Sequence, residues 1–169
     1  MDMEKIGIFY GSTLGNCKRI AEKIQLEFGA DKADLINVNE ATVVDFGRYD
    51  KMILGTSTWG VGEMQEDWEN FAHRLEQMEL SGKKVALFGV GDQKEWSDSF
   101  VNGMGMLHHR ISRNVEIIGF TSTRDYIYEI SLAAKGDRFV GLAIDDVNQP
   151  ELTNKRITNW VEQLKAEFA

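Results

Sequence analysis

The chain has 169 residues, 43% of them apolar, with a single cysteine and a formal net charge of −8. That length suits one domain with one sizeable core, and the apolar share excludes disorder as the default state. The acidity speaks against nucleic acid or an anionic membrane surface as partner, no apolar run approaches the ~20 residues of a membrane span, and one cysteine excludes an internal disulfide.

Met1-Asp2-Met3-Glu4 runs directly into Ile6-Gly7-Ile8-Phe9-Tyr10, so no secretory leader is expected and a cytoplasmic location is. The apolar run predicts a buried strand. After Gly11-Ser12-Thr13-Leu14-Gly15-Asn16, apolar residues at Cys17, Ile20, Ala21, Ile24 and Phe28 predict an amphipathic helix. Leu35-Ile36-Asn37-Val38 predicts a short strand, and residues 39–49 form a connection without a clear period. Met52-Ile53-Leu54-Gly55 is the next strand, followed by a helical stripe of Met64, Trp68, Phe71, Ala72 and Leu75. Val85-Ala86-Leu87-Phe88 and the stripe Phe100, Val101, Met104, Leu107, Ile111 repeat the pattern. Val115-Glu116-Ile117-Ile118 and residues 139–144 read as strand, with a polar excursion over 120–138 that interrupts the last strand. A final helix carries Ile157, Trp160, Val161, Leu164 and Phe168. Near-continuous apolar strands alternating with one-faced helices predict an α/β fold, a doubly wound parallel sheet with helices on both faces.

Ligands in such sheets bind beyond the carboxyl ends of the strands. Three loops there have unusual composition. The first, Gly11 to Cys17, opens a helix whose first N–H groups lack partners and whose dipole favours an anion. It holds no Lys or Arg, so neutral hydrogen bonds would grip a phosphate, which suits a mononucleotide. The second, Thr56-Ser57-Thr58-Trp59-Gly60-Val61-Gly62-Glu63, offers hydroxyls for a polyol and a tryptophan in a segment too polar to be core. The third, Gly89-Val90-Gly91-Asp92-Gln93-Lys94-Glu95-Trp96, offers approachable backbone and a second indole. Two indoles on neighbouring loops can sandwich a planar heterocycle. Phosphate grip, hydroxyls and aromatic slot together describe flavin mononucleotide (FMN).

At these residues the chain resembles the flavodoxins, and the long-chain subgroup in particular. The resemblance runs through Gly11-Ser12, Gly15-Asn16, Thr58-Trp59, Gly62-Glu63 with Trp68, Gly91-Asp92-Gln93, residues 139–145, Gln149-Pro150-Glu151-Leu152-Thr153 and the Trp160 helix. It implies a flavodoxin-like five-stranded sheet of order 2-1-3-4-5, with 120–138 as the extra loop of the long-chain members. It further implies a monomeric, low-potential carrier of single electrons on non-covalent FMN, without substrate turnover of its own. Similarity to cyanobacterial members implies photosystem I and ferredoxin–NADP reductase as basic-surfaced partners. The cofactor-binding set it implies is Ser12, Thr13, Leu14, Gly15, Asn16, Cys17, Thr56, Ser57, Thr58, Trp59, Gly60, Gly62, Gly91, Asp92, Gln93, Trp96 and Asp146. Acidic residues after the loops, among them Glu63, Glu66, Asp67, Glu69, Asp92, Glu95, Asp98, Asp145 and Asp146, are expected to surround the flavin with negative field.

Four positions depart from the family pattern. Leu14 and Cys17 stand where threonines are usual, which predicts weaker FMN retention. Trp96 stands where many members have tyrosine, and still stacks. Gly60 should let the following peptide turn toward flavin N5 at little cost. Trp68 and Trp160 sit on helix stripes and read as core, while His73 and the adjacent His108-His109 make poor metal ligands. Cys17 could be an activated thiol at a helix start, or simply fill its site. An FMN-dependent NAD(P)H or quinone reductase of the same fold is the rival reading. A phosphoacceptor receiver domain is weaker, because Tyr10-Gly11-Ser12 stands where acids would be needed.

Overall fold

The computed structural model describes residues 5–12, 14–59 and 63–169, with Trp59 and Glu63 described by their backbones alone. Strand β1 (Ile6–Tyr10) is buried along its whole length and pairs in parallel with β2 (Ala33–Asn37) on one side and β3 (Lys51–Trp59) on the other. After β3 the chain doubles back as β4 (Glu63–Met64), antiparallel to Thr58 and Trp59. β5 (Lys84–Val90) runs parallel to β3, with Gly55 opposite Phe88. The free edge of β5 carries the last strand in two pieces. β6 (Glu116–Ile118) lies beside Lys84, Val85 and Ala86. The chain then leaves the sheet and builds a small antiparallel sheet from β7 (Thr121–Ser122), β8 (Ala134–Lys135) and β9 (Arg138–Phe139). It returns as β10 (Leu142–Ile144), parallel to Phe88, Gly89 and Val90. With β4 set aside and the divided strand counted as fifth, the order is 2-1-3-4-5.

The run 139–144 reads as one strand in the sequence, but the chain changes sheets inside it. The cause is local. A Cβ at Gly141 would stand 2.0 Å from the Leu87 carbonyl oxygen, so the crossing onto β5 needs a glycine, and residues 140–141 bend there.

Helix α1 (Asn16–Phe28) packs on one face of the sheet, where Ile20 and Ile24 meet Ile8, Ile53 and Phe88. The connection 39–49 resolves into the short α2 (Val43–Gly47), started by a capping box. The Thr42 Oγ1 accepts from Asp45 N–H and the Asp45 carboxylate accepts from Thr42 N–H at 2.8 Å. With α3 (Glu66–Leu75) and α4 (Asn102–Ile111) it covers the opposite face, where Phe46 stacks on Phe9 with ring centroids 4.0 Å apart. α5 (Thr153–Glu167) returns to the first face beside α1. Trp68 and Trp160 are core, as their stripes predict. Each is fully buried and donates its indole N–H to a backbone carbonyl, Gly55 at 2.7 Å and Gly119 at 2.8 Å. Among the described residues no helix is long and apolar enough to cross a membrane.

Candidate functional site

β1, β3 and β5 are neighbours in the sheet, so the three loops leave their carboxyl ends side by side. Together with the turn after β10 they enclose a cavity of about 180 Å³. Ser12, Leu14, Asn16 and Cys17 line it from the first loop, Ser57 and Thr58 from the second, Gly91, Asp92 and Trp96 from the third, and Asp146 from beyond β10.

The first loop is held from below. Gly11 N–H donates to the Gly55 carbonyl at 3.1 Å, and a Cβ at Gly11 would stand 2.2 Å from Gln65 Oε1. Gly15 takes φ +87° and starts α1, a helix with no side-chain cap and no acidic residue in its first turn. The first intrahelical acceptance is by the Gly15 carbonyl from Arg19 N–H at 3.0 Å, so the earlier N–H groups of the helix are left over. Beside them the Ser12 Oγ is buried with no hydrogen-bond partner among the described residues. Cys17 is buried, and burial pushes its thiol well above the ordinary value, a backbone interaction with Gly11 offsetting this only in part. That makes it a packed neutral group and disposes of the activated-thiol reading. Leu14, by contrast, is 75% exposed at the rim.

In the second loop Thr56 is fully buried beneath the cavity, its hydroxyl donating to the Ser57 carbonyl at 3.1 Å. Thr58 Oγ1 accepts from Gly103 N–H at 2.9 Å, and a Cβ at Gly103 would lie 2.7 Å from the Ser57 carbonyl oxygen, so α4 butts directly against this backbone. The side chain of Trp59, together with Thr13, Gly60 and Gly62, lies outside the described residues.

The third loop is a braced turn. Asp92 Oδ1 accepts from Lys94 N–H at 3.1 Å, Glu95 N–H at 2.9 Å and Asn148 Nδ2 at 2.7 Å. Burial alone would raise the Asp92 carboxyl, but these donors and the Lys94 charge hold it below its ordinary value. Trp96, whose N–H donates to the Asp92 carbonyl, keeps 39% of its surface exposed. Gln93 departs from the expectation that it faces a cofactor. It does not line the cavity; its N–H and side-chain amide both donate to Asp145 Oδ2, at 3.0 and 2.8 Å, and its Oε1 accepts from Ile127 N–H. Asp145 is itself fully buried and also accepts from Val147 and Asn148, so it is a bracket for the loop rather than part of a surface field. Asp146 is taken up by Arg19 and by the Thr153 hydroxyl, tying α1 to α5.

The chain matches the Flavodoxin family over residues 8–160. It belongs to the flavodoxin family. It is 46% identical to a flavodoxin of Synechocystis across 96% of its own length and 97% of the relative's, and 42% identical to one of Klebsiella pneumoniae across 98% and 96%. Its structure superimposes on that of Fusobacterium nucleatum flavodoxin bound to flavin mononucleotide with a TM-score of 0.92, at 34% identity and covering 98% and 99% of the two chains.

Reading the flavodoxin loops from sequence missed part of the cavity wall. Val90, Ser99, Phe100, Val101 and Val147 all line it. Ser99 is the polar one, and its buried Oγ also lacks a partner. Val101, fully buried, sits at φ +46°, a left-handed conformation that costs a β-branched residue of order 1–3 kcal/mol. The polar stretch Ser97-Asp98-Ser99 after Trp96 was the available signal that the third loop extends beyond Trp96.

Proposed function

We propose that this cavity holds FMN non-covalently and that the protein carries single electrons between redox partners, turning over no substrate itself. Family membership supports the reading. Within the molecule one observation carries it: a buried serine hydroxyl without a partner stands beside an uncapped helix N-terminus, in a loop with no cationic side chain. Such a donor set fits a phosphate monoester, and an unsatisfied buried hydroxyl is the group a ligand oxygen would complete.

In this reading Ser12, Thr13 and Asn16, with N–H groups from Leu14, Gly15 and Cys17, hold the phosphate. Ser57 and Thr58 serve the ribityl chain above the buried Thr56. Trp59 and Trp96 flank the ring system, and Gly60, Gly62, Gly91 and Asp92 approach its edge, with Asp146 at the far rim. Gln93 keeps the third loop in place through Asp145. When bound, FMN supplies the one-electron chemistry. The chain's own residues orient it, shield its faces from water and leave one edge open for exchange. The net charge of −8 supports partners with basic surfaces, such as ferredoxin–NADP reductase and photosystem I, met by a monomer in the cytoplasm.

Titration of the apoprotein with FMN tests this. Equimolar binding with quenched flavin and tryptophan fluorescence is expected, with no NADPH oxidation until a reductase is added. Neither bound chromophore nor quenching at excess FMN would overturn it.

A further inference from the structure

A second cavity, of about 390 Å³, lies between α3, α4, β4 and the insertion strand β8. It shares the β3–β4 hairpin with the first: Thr58 lines one and its register partner Met64 lines the other. Its wall divides by chemistry. Met64, Met106 and Leu132 give an apolar surface, and His108, His109, Arg110 and Lys135 face it with cationic or titratable groups, beside one acid, Glu69. That is unusual on a chain of net charge −8. Arg110 is bonded to Glu69 through Nη2 at 3.2 Å and to Glu76 through Nε at 3.3 Å, yet its Nη1 is buried with no partner among the described residues. An unsatisfied buried N–H of a charged group is a standing cost that a ligand oxygen removes.

We propose that this cavity binds a small organic monocarboxylate, its oxygens on Arg110, His108 and Lys135 and its apolar body on Met64, Met106 and Leu132. Charge selects the class. Glu69 and Glu76 already offset the guanidinium, so the wall can neutralise one further negative charge through Lys135 and a protonated imidazole, and a phosphate dianion would meet Glu69. Binding is linked to protons. Burial first, then the charges of Lys135 and His109, hold the His108 imidazole below its ordinary value, and a carboxylate beside it raises it again. His109 on α4 and Lys135 on β8 are the charges that bear on this imidazole, while Arg110 and Glu69 line the same cavity and Glu76 is held by Arg110.

The test is NMR of the protein in excess FMN, which keeps the first cavity filled, titrated with sodium benzoate. Saturable shifts of the His108 ring and of amides 105–112 and 132–135 are expected, stronger at pH 6 than at pH 8, with exposed His73 unmoved. Lys135→Gln, at an exposed position, should weaken binding about fivefold. The proposal fails if His108 does not respond saturably, if neutral benzyl alcohol binds as well, or if Lys135→Gln binds benzoate unchanged. Tighter binding of phenyl phosphate than of benzoate would overturn the monocarboxylate assignment.

Discussion

Replacing Ser12 with alanine should move apoprotein stability and cofactor affinity in opposite directions. The Ser12 Oγ is buried without a partner beside the uncapped start of α1. An unsatisfied buried hydroxyl costs about 1–3 kcal/mol, and removing it leaves a void of only one oxygen atom. The alanine apoprotein should therefore be no less stable than the parent and gain up to about 1 kcal/mol, read as a higher urea midpoint at unchanged slope. In the complex the same hydroxyl would donate to a charged phosphate, a bond worth about 1.5–3 kcal/mol, so the Kd for FMN should rise about 10- to 150-fold. Fluorescence titration measures it, and riboflavin serves as control, since a ligand without phosphate should bind parent and variant alike. A destabilised apoprotein with unchanged FMN affinity would refute the reasoning, because it would mean the hydroxyl is satisfied within the protein.

Other outcomes follow from neighbouring groups. Leu14→Thr with Cys17→Thr should tighten FMN binding about tenfold by adding hydroxyls at the loop proposed to hold the phosphate, and an unchanged Kd in the double variant would show that backbone donors already suffice. Burial raises the Tyr126 phenol to about 12, against the opposing charge of Arg156, whose guanidinium lies 4.0 Å from the ring centre. Because the folded-state value lies above the unfolded one, this stability is complete below pH 10 and is lost as pH climbs from 10 through 12, by about 3 kcal/mol in all. Urea unfolding across that range should show the slope in the parent and a flatter profile in Tyr126→Phe. Reduction by a basic-surfaced reductase should slow as ionic strength rises, followed by stopped flow, and a rate indifferent to salt would remove electrostatic steering from the account.

The main elements are legible in the sequence because each follows one strong period. β1 is apolar along its length, β3 over Met52–Leu54 and β5 over Val85–Phe88, since both faces are covered there, and α1, α3, α4 and α5 show stripes of one buried face. α2 is only five residues long, too short for a period to register, and is held by its Thr42–Asp45 box and by Phe46. The change of sheet at Gly141 depends on the Leu87 carbonyl, more than fifty residues away, so no local pattern announces it. The cavity was legible for a topological reason: three loops of odd composition follow three strands that the fold makes adjacent. Gln93 and Asp145 were not, because two polar residues at loop tips read as ligand contacts or surface charge until the fold brings the β5 and β10 ends together.

The electrostatics of the site follow from the same bracing. Of the acids expected to form a negative field, Asp145 is buried among donors, Asp146 pairs with Arg19, Glu69 pairs with Arg110, and Asp92 is committed to its turn. Among the described side chains, Glu66, Glu69, Glu95 and Asp98 are exposed near the loops, and Asp67 is half-buried and accepts from Gln65. The negative field at the cavity is thus carried by a few solvated carboxylates, whose action on an approaching partner is screened within about 8–10 Å at ordinary salt. Beside the loop proposed to hold the phosphate, meanwhile, Arg19 is held by Asp146 and Lys18 is exposed on α1, and the loop itself offers only neutral donors. An arrangement of this kind would leave the anion without a cationic side-chain partner, only the helix N-terminus offsetting its charge in part. A reduced, anionic cofactor would then be disfavoured chiefly by the low polarity of the slot and by that retained phosphate charge, with the surface acids acting mainly on encounter.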